Sequence, residues 1–96
     1  MKVVLTAKAE DDLLRIADYI ARDNPERALS FVRDLRDAAL QLSDRHGLYP
    51  IVSRYESLGL RRRVQGNYLI FFRVKRGQVV VVRILNGAMD LDPLLS

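Results

Sequence analysis

The chain contains no cysteine, one histidine and no apolar run near the length a membrane helix needs, and each absence removes a class of function. Without thiols there is no disulfide scaffold, no thiol nucleophile and no cysteine-ligated metal. A lone His46 cannot form a multi-histidine metal site. Placed just before Gly47 at an expected helix end, it reads as a favourable end group. No Walker loop, dinucleotide fingerprint or zinc signature occurs, so no metal and no cofactor are expected. Apolar runs fall short of the roughly 20 residues of a membrane span, and the opening MKVVLTAKAEDD lacks the apolar centre of a signal peptide. The expected location is the cytoplasm, with no membrane partner. Residues 1–96 read as one domain without repeats or low-complexity segments.

Acidic residues are scarce in one half of the chain. The formal charge is +4, but Arg54 to Arg83 holds eight basic residues against a single acid, Glu56. A locally positive second half favours an acidic protein partner or nucleic acid, and a merely solvated surface stays open.

Tyr68 to Leu85 organises the rest. It reads as two strands, about Tyr68 to Val74 and Gln78 to Leu85, joined through Lys75-Arg76-Gly77. Pairing centred on Arg76 sets Phe72 opposite Val80, Ile70 opposite Val82 and Tyr68 opposite Ile84, an apolar face that must be buried. The other face then carries Leu69, Phe71 and Arg73 opposite Arg83, Val81 and Val79. Two readings stay open for it: a face partly roofed by a loop or tail, with arginine stems over apolar surface, or a docking face for another chain.

Ahead of this hairpin, Lys2 to Leu5 reads as a short strand. Thr6 is a candidate N-cap, with Glu10, Asp11 and Asp12 near the positive end of a helix whose stripe is Ala9, Leu13, Ile16, Ala17 and Ile20. Leu14 and Tyr19 flank that stripe and are placed to widen it. Asn24-Pro25 opens a second helix with Ala28, Phe31, Leu35, Ala38, Ala39 and Leu42 on one side, stopped at Gly47. A break this short implies an antiparallel helical hairpin. Tyr49 to Gly59 reads as an irregular connection, and Leu60 to Gln65 as a further strand turning back through Gly66-Asn67. Met89, Leu91, Leu94 and Leu95 are placed to seal an edge of the core. The fold class is α+β, in the order β-αα-βββ, with the helical hairpin on one face of a small, mainly antiparallel sheet. The other sheet face is expected to lack a cover from this chain.

Arginine dominates the remaining chemistry. A turn centred on Gly66 puts Arg61 and Arg63 on the face of Arg73 and Arg83, although a one-residue change reverses this. Guanidinium groups bind phosphates or carboxylates well but serve poorly as general acids or bases. Binding is supported by these residues; a reaction is not, and no catalytic residue is assigned.

Three segments together, LTAKAEDDLLRIADYIARDNPERALSFVRDL, the strands YLIFFRV and VVVVRIL, and the terminal NGAMD, resemble the toxins of type II toxin–antitoxin modules in the ParE/RelE superfamily, closer to the ParE branch. The resemblance implies a growth-inhibiting cytoplasmic toxin that poisons DNA gyrase. It also implies neutralisation by a cognate antitoxin, a small dimeric DNA-binding protein through which the toxin meets DNA only indirectly. RelE-like relatives instead cleave mRNA on the ribosome, and a weakly toxic co-regulator is a third possibility. ParE-type chains usually end their last strand with a His-Gly-Ala-Arg-Asp-like motif, where this one has Asn86-Gly87-Ala88-Met89-Asp90. Arg83, Gly87, Met89 and Asp90 are target-contact candidates by this resemblance alone. Candidates for antitoxin contact are Leu69, Phe71, Arg73, Val81 and Arg83, with Arg61 and Arg63. On this face assignment, Phe71→Asp should lose antitoxin affinity in calorimetric titration while circular dichroism shows the fold retained.

Overall fold

A computed structural model describes residues 1–95. Strand β1 spans Lys2–Leu5, helix α1 Ala7–Ala21 and helix α2 Pro25–Leu40. The start of α1 is fixed by Thr6, whose hydroxyl accepts the Ala9 N–H, and the start of α2 by Asn24, which accepts the Arg27 N–H ahead of Pro25. The second helix ends seven residues before Gly47, at Leu40. Its expected remainder is a single turn, α3 (Leu42–Arg45), followed by a 3-10 turn at His46–Leu48. The His46 ring lies 3.2 Å from the Leu42 carbonyl, as a helix-end group should.

The two long helices run antiparallel, and Glu10 near the start of α1 receives both Arg36 amino groups, at 2.7 and 3.1 Å, from the far part of α2. This hydrogen bonding holds the Glu10 carboxyl below the usual carboxylate range and keeps Arg36 more firmly protonated. Leu14 and Tyr19 do not widen the buried stripe of α1: they are 65% and 66% exposed. The stripe is widened instead by an unexpected buried residue, Asp12, beside Ala9, Leu13 and Ile16.

Strands β2 (Arg61–Gln65), β3 (Tyr68–Lys75) and β4 (Gln78–Asn86) form an antiparallel set, and β1 adds parallel to β4, giving the order β1-β4-β3-β2. The β3–β4 turn has two residues rather than three. Both Arg76 and Gly77 have positive φ, 53° and 74°, the conformation of tight hairpins with the right strand twist. Lys75 therefore pairs with Gln78 and Phe72 with Val81, one residue away from the register centred on Arg76. Beyond Phe72 the register shifts again, because Phe71 pairs with Arg83 and Val82 is left as the extra residue of a β-bulge. The bulge sets Ile70 opposite Ile84, where the register centred on Arg76 had Val82.

These two shifts redistribute the faces. Tyr68, Ile70, Phe72, Val79, Val81 and Ile84 pack under the helices with Ala9, Leu13, Leu35, Ala39 and Leu42. Val81 is thus a core residue at 0% exposure, and its expected place on an open face is corrected. The opposite face is not bare either. Leu60, Leu69, Phe71 and Leu85 form a second core, covered by Val52 and Tyr55 from the long connection and by Leu91, Leu94 and Leu95, the last two from the terminal turn α4 (Asp92–Leu95). Phe71 is 1% exposed. The sheet is lined on both sides because the tail folds across its face instead of along its edge.

Phe71→Ala should consequently destabilise the free chain by about 3–5 kcal/mol in urea unfolding, and Phe71→Asp should fail to fold. Retention of the fold by Phe71→Asp would disprove the second core. A milder test concerns acid. With its folded pKa lowered, Glu10 contributes stability above the ordinary carboxylate pKa, and that contribution is lost as pH falls through the depressed value. The melting midpoint of Glu10→Gln should therefore fall less between pH 7 and pH 3 than that of the parent chain.

Candidate functional site

The parallel partner β1 ends at Leu5, opposite Val81, so the edge of β4 from Val82 onward needs other hydrogen-bond partners. Thr6 supplies the first: its N–H donates to the Val81 carbonyl and its hydroxyl to the Val82 carbonyl, each at 3.0 Å. Asp12 supplies the next. One turn and a half into α1, its carboxylate accepts the Ile84 N–H at 2.9 Å and two bonds from the Arg83 guanidinium, at 2.8 and 2.9 Å. Both side chains are largely shielded from water, and the hydrogen bonds to Asp12 hold Arg83 more firmly protonated than usual. Planar, two-point pairing of this kind is the strong form of a carboxylate–arginine contact.

Arg83 also donates to the Leu94 carbonyl at 3.3 Å, so it ties the tail to the sheet. A second clasp lies at the tail's start, where Asp92 accepts from Arg54 at 2.7 Å and from the Tyr55 hydroxyl at 3.0 Å. Bonding to Asp92 raises the pKa of Tyr55. Held in this way, the tail stands between two cavities of about 460 Å³ each. One is lined by Thr6, Lys8, Leu58, Leu60, Arg73 and Leu95, the other by Arg15, Tyr19, Tyr68, Asn86 and Met89; Arg83 and Leu94 border both. Arg73 lines the first cavity, and its Nε–H is shielded with no partner among the described residues.

Arg61 and Arg63 do not join this group. In the observed β2–β3 register they pair with Phe72 and Ile70, and therefore face the helices. Arg61 donates to the Tyr49 carbonyl; Arg63 donates to the Ala38 carbonyl and Gln41, with its guanidinium over the Tyr49 ring. They staple the helix-side connection to the sheet. Of the expected contact residues, the structure brings together Arg73 and Arg83, places Leu69 and Phe71 beneath the tail and puts Val81 under the helices. Gly87, Met89 and Asp90 are exposed on the turn after β4, where the Gly87 N–H donates to the Asn67 carbonyl and the Ala88 N–H to the Asn86 side chain. Asp12 was not readable as a site residue, since Glu10, Asp11 and Asp12 look alike at a helix start. The one available signal was its i−3 and i+4 spacing to Ala9 and Ile16, which places it on the buried side.

The arrangement can bind anions but is poorly equipped for proton transfer. Among the described residues neither cavity contains histidine or glutamate, and the only carboxylate side chain there, Asp12, is committed to Arg83 and Ile84. Among the described residues no group of three or more potential metal ligands exists, and no helix is long and apolar enough to cross a membrane.

Residues 3–91 match the family described as the ParE toxin of the type II toxin–antitoxin system parDE. A solved structure described as the chromosomal ParDE TA system from P. aeruginosa is similar at TM-score 0.78 and 27% identity, over 90% of this chain and 95% of the other. No match is found among curated proteins.

Asp12→Ala leaves the Arg83 cation shielded and unpaired, and should cost about 3–5 kcal/mol in urea unfolding. A loss no larger than that of an exposed pair such as Arg15–Asp11 would show that Asp12 does not organise this edge.

Proposed function

This chain belongs to the ParE toxin family of type II toxin–antitoxin systems, and on that premise we propose that it inhibits DNA gyrase and is neutralised by a cognate antitoxin. The family match across residues 3–91 carries the reading. The chemistry of the site supports it over the RelE-like alternative. Cleavage of RNA through its 2′-hydroxyl needs a group to take that proton and another to protonate the leaving oxygen. The paired arginines offer charge stabilisation only, because guanidinium does not give up its proton at neutral pH. A toxin that blocks its target by binding needs no such group.

Antitoxin contact is proposed at Arg73 and Arg83, which border one cavity. Leu69 and Phe71 become available only if Leu91, Leu94 and Leu95 are lifted away. Val81 would require the helices to part and is set aside as a contact. Target contact is proposed at Arg83 and at the exposed turn of Gly87, Met89 and Asp90. Met89 stands there where relatives of the ParE type carry a basic residue, so the charge offered to the target is reduced.

Purified protein should make gyrase accumulate cleaved plasmid DNA, while induced expression leaves cellular mRNA intact. Transcripts cut at defined codons on the ribosome would reverse the assignment. Undiminished growth on induction, with tight antitoxin binding, would identify a co-regulator instead.

A further inference from the structure

We propose that the cavity between the start of α1, Arg73 and the C-terminal turn is a receptor for one side-chain carboxylate of a partner protein, presented in a segment that alternates acidic and apolar residues. It rests on the antitoxin reading above, because it assigns a contact point to that partner.

The first observation is an unused donor. The Arg73 Nε–H is shielded from water with no acceptor among the described residues, an arrangement that is costly unless something else supplies the acceptor. Its neighbour Arg83 is already neutralised by Asp12, and among the described residues no equivalent carboxylate is offered to Arg73. Lys8, on the cavity rim, forms no ion pair among the described residues and is exposed. The first turn of the fifteen-residue helix α1 borders the same space and adds to its positive potential.

The second observation is the wall. Leu58, Leu60, Val82, Leu94 and Leu95 surround these cations. Nucleic acid binds through rows of cations that follow successive phosphates, and a leucine-lined recess with two uncommitted positive groups does not offer such a row. A carboxylate flanked by apolar side chains satisfies both parts of the lining, with the charge on Arg73 and Lys8 and the neighbours on the leucines.

The test follows the Arg73 Nε–Hε signal by NMR in the 15N-labelled full chain. A blocked peptide of alternating leucine and glutamate should shift that signal saturably, and its glutamine counterpart should not. Arg73→Met should weaken peptide binding by roughly tenfold, the size of one lost charge-assisted hydrogen bond. The same variant should raise the melting midpoint of the free chain, because it removes an unpaired buried donor. A merely structural Arg73 would lower it. Lys8→Gln should weaken binding and flatten its salt dependence, whereas Arg22→Gln, exposed at the opposite end of α1, should change neither. Equal responses to the two peptides, or a stronger response to a single-stranded oligonucleotide, would overturn the proposal. Titration with the co-encoded antitoxin separates the two levels. Parent and Arg73→Met chains that bind it equally would overturn the site and leave the antitoxin reading standing, whereas no binding by the parent chain would sink that reading and the proposal with it.

Discussion

A single carboxylate, that of Asp12, resolves the main structural problem of this chain. Its first strand is four residues long and its last is nine, so the parallel pairing between them stops partway along β4. The strand beyond that point would present unsatisfied backbone groups to an apolar interior. Thr6 caps the helix and bonds the β4 edge at the same time, and Asp12 continues the row by accepting the Ile84 N–H. The bulge at Val82 belongs to the same solution. By adding one residue there, it lets Ile84 face the helices while the Arg83 guanidinium reaches the carboxylate. A buried pair of this kind gains little over well-packed apolar residues, so its main effect is to fix where α1 sits against the sheet.

That placement determines the basic site. Arg83 is committed on one side to Asp12 and on another to the Leu94 carbonyl, so the helix, the sheet and the tail meet at one guanidinium. Arg73, two strand positions from the bulge, has the same chemical nature, but its Nε–H has no acceptor among the described residues. The contrast is between an arginine whose donors are spent on the fold and a neighbour whose Nε–H has no acceptor among the described residues. Arg61 and Arg63 were indistinguishable from these in composition, yet Arg61 is spent on the Tyr49 carbonyl and Arg63 on the Ala38 carbonyl and Gln41 at the end of α2.

Much of the architecture was legible in the residues. Thr6, Asn24 and Pro25 mark helix starts through local chemistry that tertiary contacts do not override, and the stripes of α1 and α2 point to one core. The order of elements, β-αα-βββ, followed from the hydrophobic patterns and the short turns. The face assignment was not legible, for two physical reasons. A positive φ at Arg76 is uncommon for a residue with a side chain, so the two-residue turn could not be told from a longer one, and one residue inverts every pairing. The bulge depends on Asp12, which is seventy residues away in the chain and whose neighbours in sequence are equally acidic. The leucines of the tail were visible as sealing residues, but their site followed from the register that the turn concealed.

The pairing of the first strand with the last has a consequence for how the protein comes into being. Emerging from synthesis in order, β1 and both helices must wait for the final third of the chain before their apolar sides find a sheet, and the Asp12 carboxylate waits equally for Arg83. Such end-to-end closure is slow compared with local contacts and leaves no folded fragment along the way. A chain built like this has no complete sheet for its helices to cover until its last third has been synthesised.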